Sequence, residues 1–328
     1  MKWIIPPVSI DVIKSELTPE KFIRHTNFGG NEIYILNAAN SPNILLEIGR
    51  LRELTFRSAG GGTGKETDLD EFDDAQIPYE QLIVWDPKEN EIVGGYRFIL
   101  GNKVKDKDIS VLATSELFNF SDAFLNDYMP YTIELGRSFV QPSYQSTANA
   151  RKGIFALDNL WDGLGALIII HPEVKYFFGK VTMYPDFNRP ARDLILYFLN
   201  KYFGDKEKMV TPIHPVKMDT PVHQMEKVFT AQTYLENYKI LSKAVRVLGE
   251  NIPPLINSYM NISPTMKSFG TAINQHFGEV EETGILIKID DIYIGKKERH
   301  INTFKLIRNR LGHILPNMPK RRAKKKNP

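Results

Sequence analysis

Cysteine is absent from all 328 residues of this chain. Disulfides, thiolate metal sites and a cysteine nucleophile are therefore excluded, and the reducing cytoplasm is the expected location. Long apolar runs are also missing, since the longest, residues 164–170, is far shorter than the roughly 20 residues that span a bilayer. The N-terminal stretch Met1-Lys-Trp-Ile-Ile-Pro-Pro is too short an apolar run for a signal peptide. We expect a soluble or peripheral protein.

Several motifs that would define an enzyme class are incomplete or missing. A phosphate-binding Walker loop needs Gly-x-x-x-x-Gly-Lys-Ser/Thr, but here Gly64-Lys65 is followed by Glu66, and Ala59 occupies the first glycine position. The seven histidines lack metal-ligand spacing, and the Gly-x-Ser-x-Gly elbow of a serine hydrolase is absent. We therefore expect no metal site, and neither a P-loop enzyme nor a serine hydrolase.

The net charge of +3 conceals an uneven distribution. The last nine residues carry six positive charges, and the rest of the chain is mildly acidic. Such a tail can bind anionic lipid at about 1 kcal/mol per basic residue near a membrane surface. It can equally attract nucleic acid or an acidic protein, or be a disordered solubilising terminus. We do not expect nucleic acid to be the partner of this tail. We expect instead that the residues from Lys320 to Lys326 bind the anionic inner face of the membrane.

Hydrophobic periodicity divides the chain into helices and strands that alternate. Apolar residues at helical spacing predict a helix over residues 42–56, and strands at 81–85 and 92–100 predict a hairpin. A largely buried helix is predicted at 153–170. The other predicted elements are strands at 132–140, 176–183 and 285–289, a helix that Asn188 caps, a loop over 205–225 and a helix at 232–248. This alternation around one mixed sheet indicates an α/β or α+β domain.

The same pattern predicts the domain organisation. Residues 1–44 are expected to be an irregular lead-in with one short helix near residues 19–25. Residues 45–315 are expected to form the main domain, with a helical and loop insertion near 205–250. Residues 316–328 are expected to be the basic, disordered tail.

Charged residues recur in a fixed order within the first 140 residues. The order is Arg52, then Asp68, Asp70 and Asp73, then Arg97, Glu134 and Arg137. The last three lie in apolar, strand-like segments, where a charge usually needs a partner. Glu134 and Arg137 are three residues apart, so a regular strand points them to opposite faces and each must pair elsewhere. The set predicts a site that holds an amine and moves a proton, or a buried structural ion network, and the two roles are compatible.

These residues match a pattern known from one enzyme family. Arg52-x-x-x-Phe56, the acidic run ending in Phe72-Asp73, Gly94-Gly-Tyr-Arg97 and Glu134-x-x-Arg137-x-x-Val140 resemble the acyl-carrier-protein-dependent branch of the GNAT acyltransferases. That branch includes acyl-homoserine lactone synthases and the hemolysin-like N-acyltransferases of ornithine-lipid and glycine-lipid synthesis. Later segments such as Leu160-Trp161-Asp-Gly163 are more similar to the aminolipid enzymes. The resemblance covers about residues 45–300 and implies a GNAT-like mixed central sheet flanked by helices.

The resemblance implies an N-acyltransferase that moves a long acyl chain, 3-hydroxyacyl in the favoured interpretation, from acyl carrier protein to the α-amino group of glycine or ornithine. The product would be a lyso-aminolipid. The alternatives are a signal synthase of the acyl-homoserine lactone kind and a non-catalytic acyl- or lipid-binding protein on the same fold. No permanently bound cofactor is implied, because acyl carrier protein or acyl-CoA would be the donor substrate. Coenzyme A enzymes of this superfamily carry a glycine-containing pyrophosphate loop, and here Gln145-Ser-Thr-Ala148-Asn-Ala150 has alanine for both glycines, which favours the carrier protein.

The resemblance also assigns roles to residues. Glu134 is the expected general base, directly or through a water, because an ammonium group must lose a proton before it can attack a thioester. Arg137 is the second catalytic residue, and the alternative role for Arg97 or Arg137 is to hold the carboxylate of the acceptor. Backbone N–H groups within residues 139–141 are expected to polarise the thioester carbonyl, and the helix at 153–170 to line an acyl channel. The acceptor-binding set is Arg52, Phe56, Asp68, Asp70, Asp73 and Arg97. The donor-binding set is Phe139, Val140, Gln145, Arg151 and Trp161.

Overall fold

The computed structural model describes residues 1–145 and 153–305. The helices are α1 (Ile10–Glu16), α2 (Pro42–Ser58), α3 (Glu71–Asp74), α4 (Ala156–Ile170), α5 (Arg189–Phe203), α6 (Val222–Val228), α7 (Tyr234–Val247), α8 (Pro254–Met260) and α9 (Ile294–Lys297). The strands are β1 (Phe22–His25), β2 (Glu32–Leu36), β3 (Glu80–Asp86), β4 (Glu91–Leu100), β5 (Phe118–Phe120), β6 (Thr132–Val140), β7 (Tyr176–Met183), β8 (Val210–Pro212), β9 (Lys267–Asn274) and β10 (Val280–Lys288). Short 3₁₀ and π turns join several of them.

One eight-stranded mixed sheet organises the molecule, in the order β1-β2-β3-β4-β6-β7-β10-β9, while β5 and β8 pair separately. Neighbours in the large sheet are antiparallel except β6 and β7, which are parallel. A parallel pair needs a crossover connection, and α4 lies in the segment that joins these two strands. Their pairing covers only residues 132–135 with 176–179. The second halves of both strands therefore lie outside the ladder that joins them.

Helices cover both faces of this sheet. On one face Ile48 and Leu51 of α2 pack in one core with Ile83 of β3. On the other face Leu160 of α4 packs in a second core with Leu82 of β3. Successive side chains of a strand point to opposite faces, so the neighbours Leu82 and Ile83 separate the two cores. Each side chain of this kind, fully buried, stabilises the fold by about 1.5–3 kcal/mol.

Most elements of the main domain agree with the sequence pattern. The helix predicted at residues 42–56 is α2, and the strands predicted at 132–140 and 176–183 have those bounds. Asn188 caps α5, since its side-chain oxygen accepts a hydrogen bond from the Ala191 N–H at 3.1 Å. The cap satisfies one of the N–H groups that the first helical turn leaves without a partner.

The segment before residue 45 differs from its prediction. The expected helix near residues 19–25 is wrong, because residues 22–25 are strand β1 and the helix of this region is Ile10–Glu16. The lead-in is not irregular either, since β1 and β2 extend the large sheet at its β3 edge. The apolar residues of Glu32–Leu36 are too few to display a period of two clearly, and pairing with β3 decides their conformation.

The later part of the chain also holds elements that the pattern did not reveal. Strand β9 was missed because Gly270, at φ +85°, interrupts its run of strand residues. The expected loop over residues 205–225 contains the three-residue strand β8 and the start of α6. Strand β10 is longer than the predicted 285–289 and begins at Val280. These short elements are stabilised by their neighbours in the sheet more than by local propensity.

Candidate active site

The acidic run folds into the single helical turn α3. The Asp70 side chain accepts a hydrogen bond from the Phe72 N–H, and Asp73 accepts one from the Asp70 N–H, each at 3.2 Å, which makes a reciprocal cap. Phe72 is buried and meets the Tyr79 ring edge to face, with 6.0 Å between centroids. The aromatic residue thus fixes the run on the body of the protein, and Asp73 points inward with it.

Arg52 holds Asp73 in a fully buried ion pair. One guanidinium nitrogen of Arg52 lies 3.2 Å from both carboxylate oxygens of Asp73, and the other donates to Gln81 Oε1 at 2.5 Å. Burial by itself would raise the pKa of Asp73, but the guanidinium groups of Arg52 and Arg97 outweigh it and hold that pKa far below its usual range. Asp73 is therefore a fixed negative charge.

Arg97 of β4 joins the acidic residues to one another. Its two terminal nitrogens contact the two oxygens of Asp70, the longer contact measuring 2.9 Å, and one of them also lies 3.2 Å from Asp73. The guanidinium stacks over the Tyr79 ring, 4.9 Å from its centroid. Burial opposes the charge on Arg97, but the two carboxylates raise its pKa above the usual value. A bidentate pair of this kind fixes position as well as charge.

Glu134, the expected base, is closed off from the surface on β6. Its Oε1 accepts a hydrogen bond from Tyr79 Oη at 2.6 Å and its Oε2 accepts one from Thr114 Oγ1 at 2.7 Å. The residue is 1% exposed, and burial raises the pKa of its carboxyl, while the two hydrogen bonds act in the opposite direction. Glu134 does not line any of the three cavities described below.

Arg137 leaves the regular path of β6. Arg97 is opposite Gly136 and Gly95 is opposite Phe139, so the strand has an extra residue here, and Arg137 has a φ of +51°. The prediction that Glu134 and Arg137 point apart is wrong for this reason, because it assumed a regular strand. The Arg137 guanidinium reaches Asp68 at 2.9 Å and Asp70 at 3.3 Å.

One continuous network therefore contains the charged residues that the sequence singled out. Asp70 links the guanidinium groups of Arg97 and Arg137, and Tyr79 links Arg97 to Glu134. Its members are Arg52, Asp68, Asp70, Asp73, Arg97, Glu134 and Arg137. Such a network is costly to bury unless every charge is paired, so it fixes the position of Arg137 at its outer end.

A cavity opens where β6 and β7 cease to pair. Beyond residues 135 and 179 the two strands diverge, and a cavity of about 540 Å³ lies between them and α4. The wall contains five residues assigned from the sequence, Phe56, Arg137, Phe139, Val140 and Gln145. Its other residues, which include Ser138, Tyr144, Leu157, Thr182, Tyr184, Leu255 and Phe277, are mostly apolar or aromatic. Phe56 meets Phe277 edge to face at 5.2 Å, and Arg137 stacks on Phe277 at 4.4 Å.

Three charged residues line this cavity within the described ranges, Arg137, Lys180 and Glu282. Lys180 of β7 and Glu282 of β10 form a hydrogen-bonded ion pair, and Glu282 also accepts from Thr182 and Asn274, each at 3.3 Å. Burial lowers the pKa of Lys180, and its pairing with Glu282 opposes this shift. Neither Lys180 nor Glu282 was singled out from the sequence. For Lys180 the available signal was the same as for Glu134, a charge inside an apolar strand, whereas Glu282 precedes the strand predicted at 285–289.

Two smaller cavities continue inward along α4. The second, of about 60 Å³, shares Leu157 and Leu160 with the large cavity, and the third, of about 30 Å³, shares Trp161 and Leu164 with the second. Trp161, assigned to the donor from the sequence, lies at this inner junction. The α4 residues that line these three cavities are apolar or aromatic apart from Gly165, and the acyl channel stays a prediction.

Several assignments made from the sequence are not placed at this cavity by the described residues. Arg151 and the loop residues 146–150 lie outside the described residues, as do the basic residues from Lys320 onward. Among residues 139–141, the Gln141 N–H donates to the Val93 carbonyl at 3.0 Å, so it is used within the sheet and does not polarise a bound carbonyl. In the described ranges, no group of three His, Asp or Glu side chains is placed to hold a metal ion.

Comparison with known proteins identifies the family. A family model for an acetyltransferase (GNAT) domain matches residues 51–152. A glycine N(alpha)-acyltransferase of Phocaeicola vulgatus is 56% identical over 306 residues, which cover 93% of this chain and 94% of that protein. One from Bacteroides thetaiotaomicron is also 56% identical, over 93% of this chain and 91% of that protein. This chain belongs to their family. It is an N-acyltransferase with a GNAT-like fold.

A solved structure was also compared with this N-acyltransferase. It is the CoA-dependent acyl-homoserine lactone synthase BjaI, with SAM and isopentyl-CoA, at 11% identity and a TM-score of 0.38 over 86% of this chain and 90% of that one. In the part of the N-acyltransferase that the structure describes, every helix is too short or too polar to cross a membrane.

Proposed function

We propose that this protein transfers a long acyl chain from a carrier-protein thioester to the α-amino group of glycine, which yields an N-acylglycine, the lyso form of an aminolipid. The observation that carries the proposal is the cavity at the divergence of β6 and β7, with charged groups at one part of its wall and an apolar path beneath α4. The relatives' names supply glycine as the acceptor, and ornithine, which the sequence pattern also allowed, ranks second.

The donor would bind with its thioester in the gap between the two strands and its acyl chain along α4. Successive N–H groups of a strand point to opposite sides, and the Gln141 N–H is directed at β4. The preceding N–H, of Val140, is therefore directed toward the gap, where it would donate to the thioester carbonyl and stabilise the oxyanion. Acyl carrier protein is the proposed donor because alanines replace both glycines of the pyrophosphate loop in the sequence.

The acceptor would enter as an ammonium ion and must lose a proton before attack. The network from Arg52 to Arg137 would hold Arg137 toward the cavity and balance the charge around it. From the family resemblance the base is Glu134, directly or through a water, and this role stays a prediction. If it holds, Glu134→Gln abolishes turnover and leaves the folded protein intact.

A reconstituted reaction tests the proposal. Purified protein is incubated with 3-hydroxypalmitoyl carrier protein or with the matching acyl-CoA, and with glycine or ornithine, and the lipid extract is analysed by mass spectrometry. We expect N-acylglycine with the carrier-protein donor. An extract without any N-acyl amino acid, from soluble protein that does bind the donor, would instead favour the non-catalytic acyl-binding alternative.

The basic tail is proposed to keep the cytoplasmic enzyme near the inner membrane face that receives its product. The support is the charge of residues 320–326 alone. Flotation with vesicles rich in anionic lipid compares the full chain with a chain that ends at Pro319. Equal binding of the two would end the membrane role and leave carrier-protein docking or solubility.

A further inference from the structure

The ion pair between Lys180 and Glu282 has no place in the roles assigned from the sequence. The two residues lie on the neighbouring strands β7 and β10, where Glu282 is opposite Thr182 and Lys180 is opposite Gly284. Their side chains are 9% and 3% exposed, and both belong to the wall of the 540 Å³ cavity. A buried pair is weak evidence for stability, because desolvation offsets most of its attraction. Its position on the cavity wall calls for a functional explanation.

Glu282 is held in one orientation by three neighbours on two strands. Lys180 and Thr182 of β7 and the Asn274 amide of β9 all donate to its carboxylate. Glu134 accepts hydrogen bonds from Tyr79 and Thr114, and unlike Glu282 it does not line this cavity. Of the two carboxylates, Glu282 is the one that a molecule in the cavity can touch.

The chemistry of this wall fits a small zwitterion. A free amino acid carries an ammonium and a carboxylate within one short molecule, and the cavity offers a carboxylate beside two cations, Lys180 and Arg137. We propose that these residues form the acceptor site, in which Glu282 binds the ammonium group and takes its proton while Lys180 binds the carboxylate. This inference rests on the proposed acyl transfer to an amino acid and assigns the base to Glu282 in place of Glu134. Glu134 then acts as a positioning residue through Tyr79.

The proposed step is balanced in atoms and charge. The ammonium gives one proton to a Glu282 oxygen, and the freed nitrogen forms a bond to the thioester carbonyl carbon. The C–S bond then breaks with its electron pair on sulfur, and the new amide nitrogen gives its second proton to the thiolate. The products are the N-acyl amino acid and the free thiol of the donor, and Glu282 returns its proton to solvent.

A pH profile of Glu282→Gln tests the proton transfer. Without the base, the enzyme must bind the rare neutral form of glycine, so kcat/KM should fall by about 100-fold or more at pH 7 and recover about tenfold per pH unit up to pH 9. The wild-type profile should be flatter. The ratio between two pH values does not depend on the fraction of folded enzyme when that fraction, followed by circular dichroism, is the same at both pH values. A loss that is constant across pH would overturn the inference.

Other titratable or charged groups near Glu282 need a control. Lys180, Arg137 and Tyr184 also line the cavity, and the pKa of Lys180 is lowered by burial. The profile is therefore repeated with Lys180→Gln present in both proteins, and the difference in slope must persist. Lys180→Gln alone should raise KM for glycine about tenfold with little change in kcat. An unchanged KM would remove the carboxylate-binding role, and this readout remains if Glu282→Gln does not fold.

A matched control separates this site from the stability of the strand. Glu281 is the neighbouring residue on β10, is buried, and pairs with Arg192 away from the cavity. Glu281→Gln should lower the melting temperature at least as much as Glu282→Gln does. Its pH profile of kcat/KM should be the same as that of the wild type. If wild-type protein acylates no amino acid, the proposed function fails. If it acylates glycine and the two glutamine variants share one profile, only the present inference fails.

Discussion

Arg52 and Asp73 form an ion pair in which neither side chain has more than 1% of its surface exposed. One comes from helix α2 and the other from the turn α3, so the pair joins two separate segments beside the sheet. Two buried charges are tolerated only when they stay together, because an unpaired one loses its hydration without compensation. The pair therefore fixes α3, and with it Asp70, the residue that holds Arg137 beside the cavity.

Asp73→Asn should destabilise the protein by about 3 kcal/mol at pH 7, because it leaves the buried Arg52 without its counter-charge. The folded pKa of Asp73 lies below its ordinary value of 3.8. Its contribution is thus fully present above pH 3.8 and is lost as the pH falls through the folded pKa. Urea unfolding of both proteins from pH 7 to pH 3 should show the difference shrinking in the acid range. The exposed neighbour variant Asp74→Asn is the control and should change little.

Glu134→Gln should change the pH dependence of the unfolding free energy in the direction opposite to that of Asp73→Asn. Burial raises the folded pKa of Glu134 above its ordinary 4.5, so the folded protein holds this proton more tightly than the unfolded chain. The wild type should lose unfolding free energy as the pH rises from 4.5 through the folded pKa, whereas the glutamine variant cannot ionise there. The two urea-midpoint curves should diverge over that window. Parallel curves, as expected for the exposed Glu116→Gln, would contradict the assignment.

The bulge at Arg137 predicts that a glycine variant at this position is more stable than an alanine variant. Arg137→Gly and Arg137→Ala both remove the ion pairs with Asp68 and Asp70, but only alanine keeps a Cβ at the φ of +51°. The glycine variant should be the more stable by about 0.5–1 kcal/mol. This difference is the cost of a left-handed conformation for alanine minus the larger loss of backbone entropy for glycine on folding. Denaturant unfolding of the two measures this difference directly. A more stable alanine variant would mean that the bulge relaxes once the guanidinium is gone.

The inner end of the α4 path predicts a change in acyl-chain preference. Leu164 lines both small cavities, so Leu164→Phe should fill the junction beside Trp161 and shorten the path. Excluding two methylene groups costs about 1.6 kcal/mol, which corresponds to about a 15-fold fall in kcat/KM. The fall should be confined to long donors, with short-chain donors as the internal control. An equal loss for all chain lengths would indicate damage to packing.

The candidate site was only partly accessible from the sequence. The charges of the network could be identified because Arg97, Glu134 and Arg137 interrupt apolar strands, where an unpaired charge is costly. Their partners could not all be assigned, because the bulge that redirects Arg137 depends on the register between β4 and β6. Lys180 carried the same signal, but Glu282 precedes the predicted strand 285–289, and their meeting depends on two strands that are distant in sequence.

The sequence by itself determined the order of the main helices and strands, the lack of cysteine chemistry and the set of charges that must be paired. Local periodicity and the cost of burying a charge are properties of short segments, so a single chain displays them. The tertiary structure decided that β6 and β7 part after four paired residues, that Arg137 turns toward Asp70, and that Glu282 faces the cavity while Glu134 does not. These outcomes depend on strand pairing between distant segments, which no local pattern specifies.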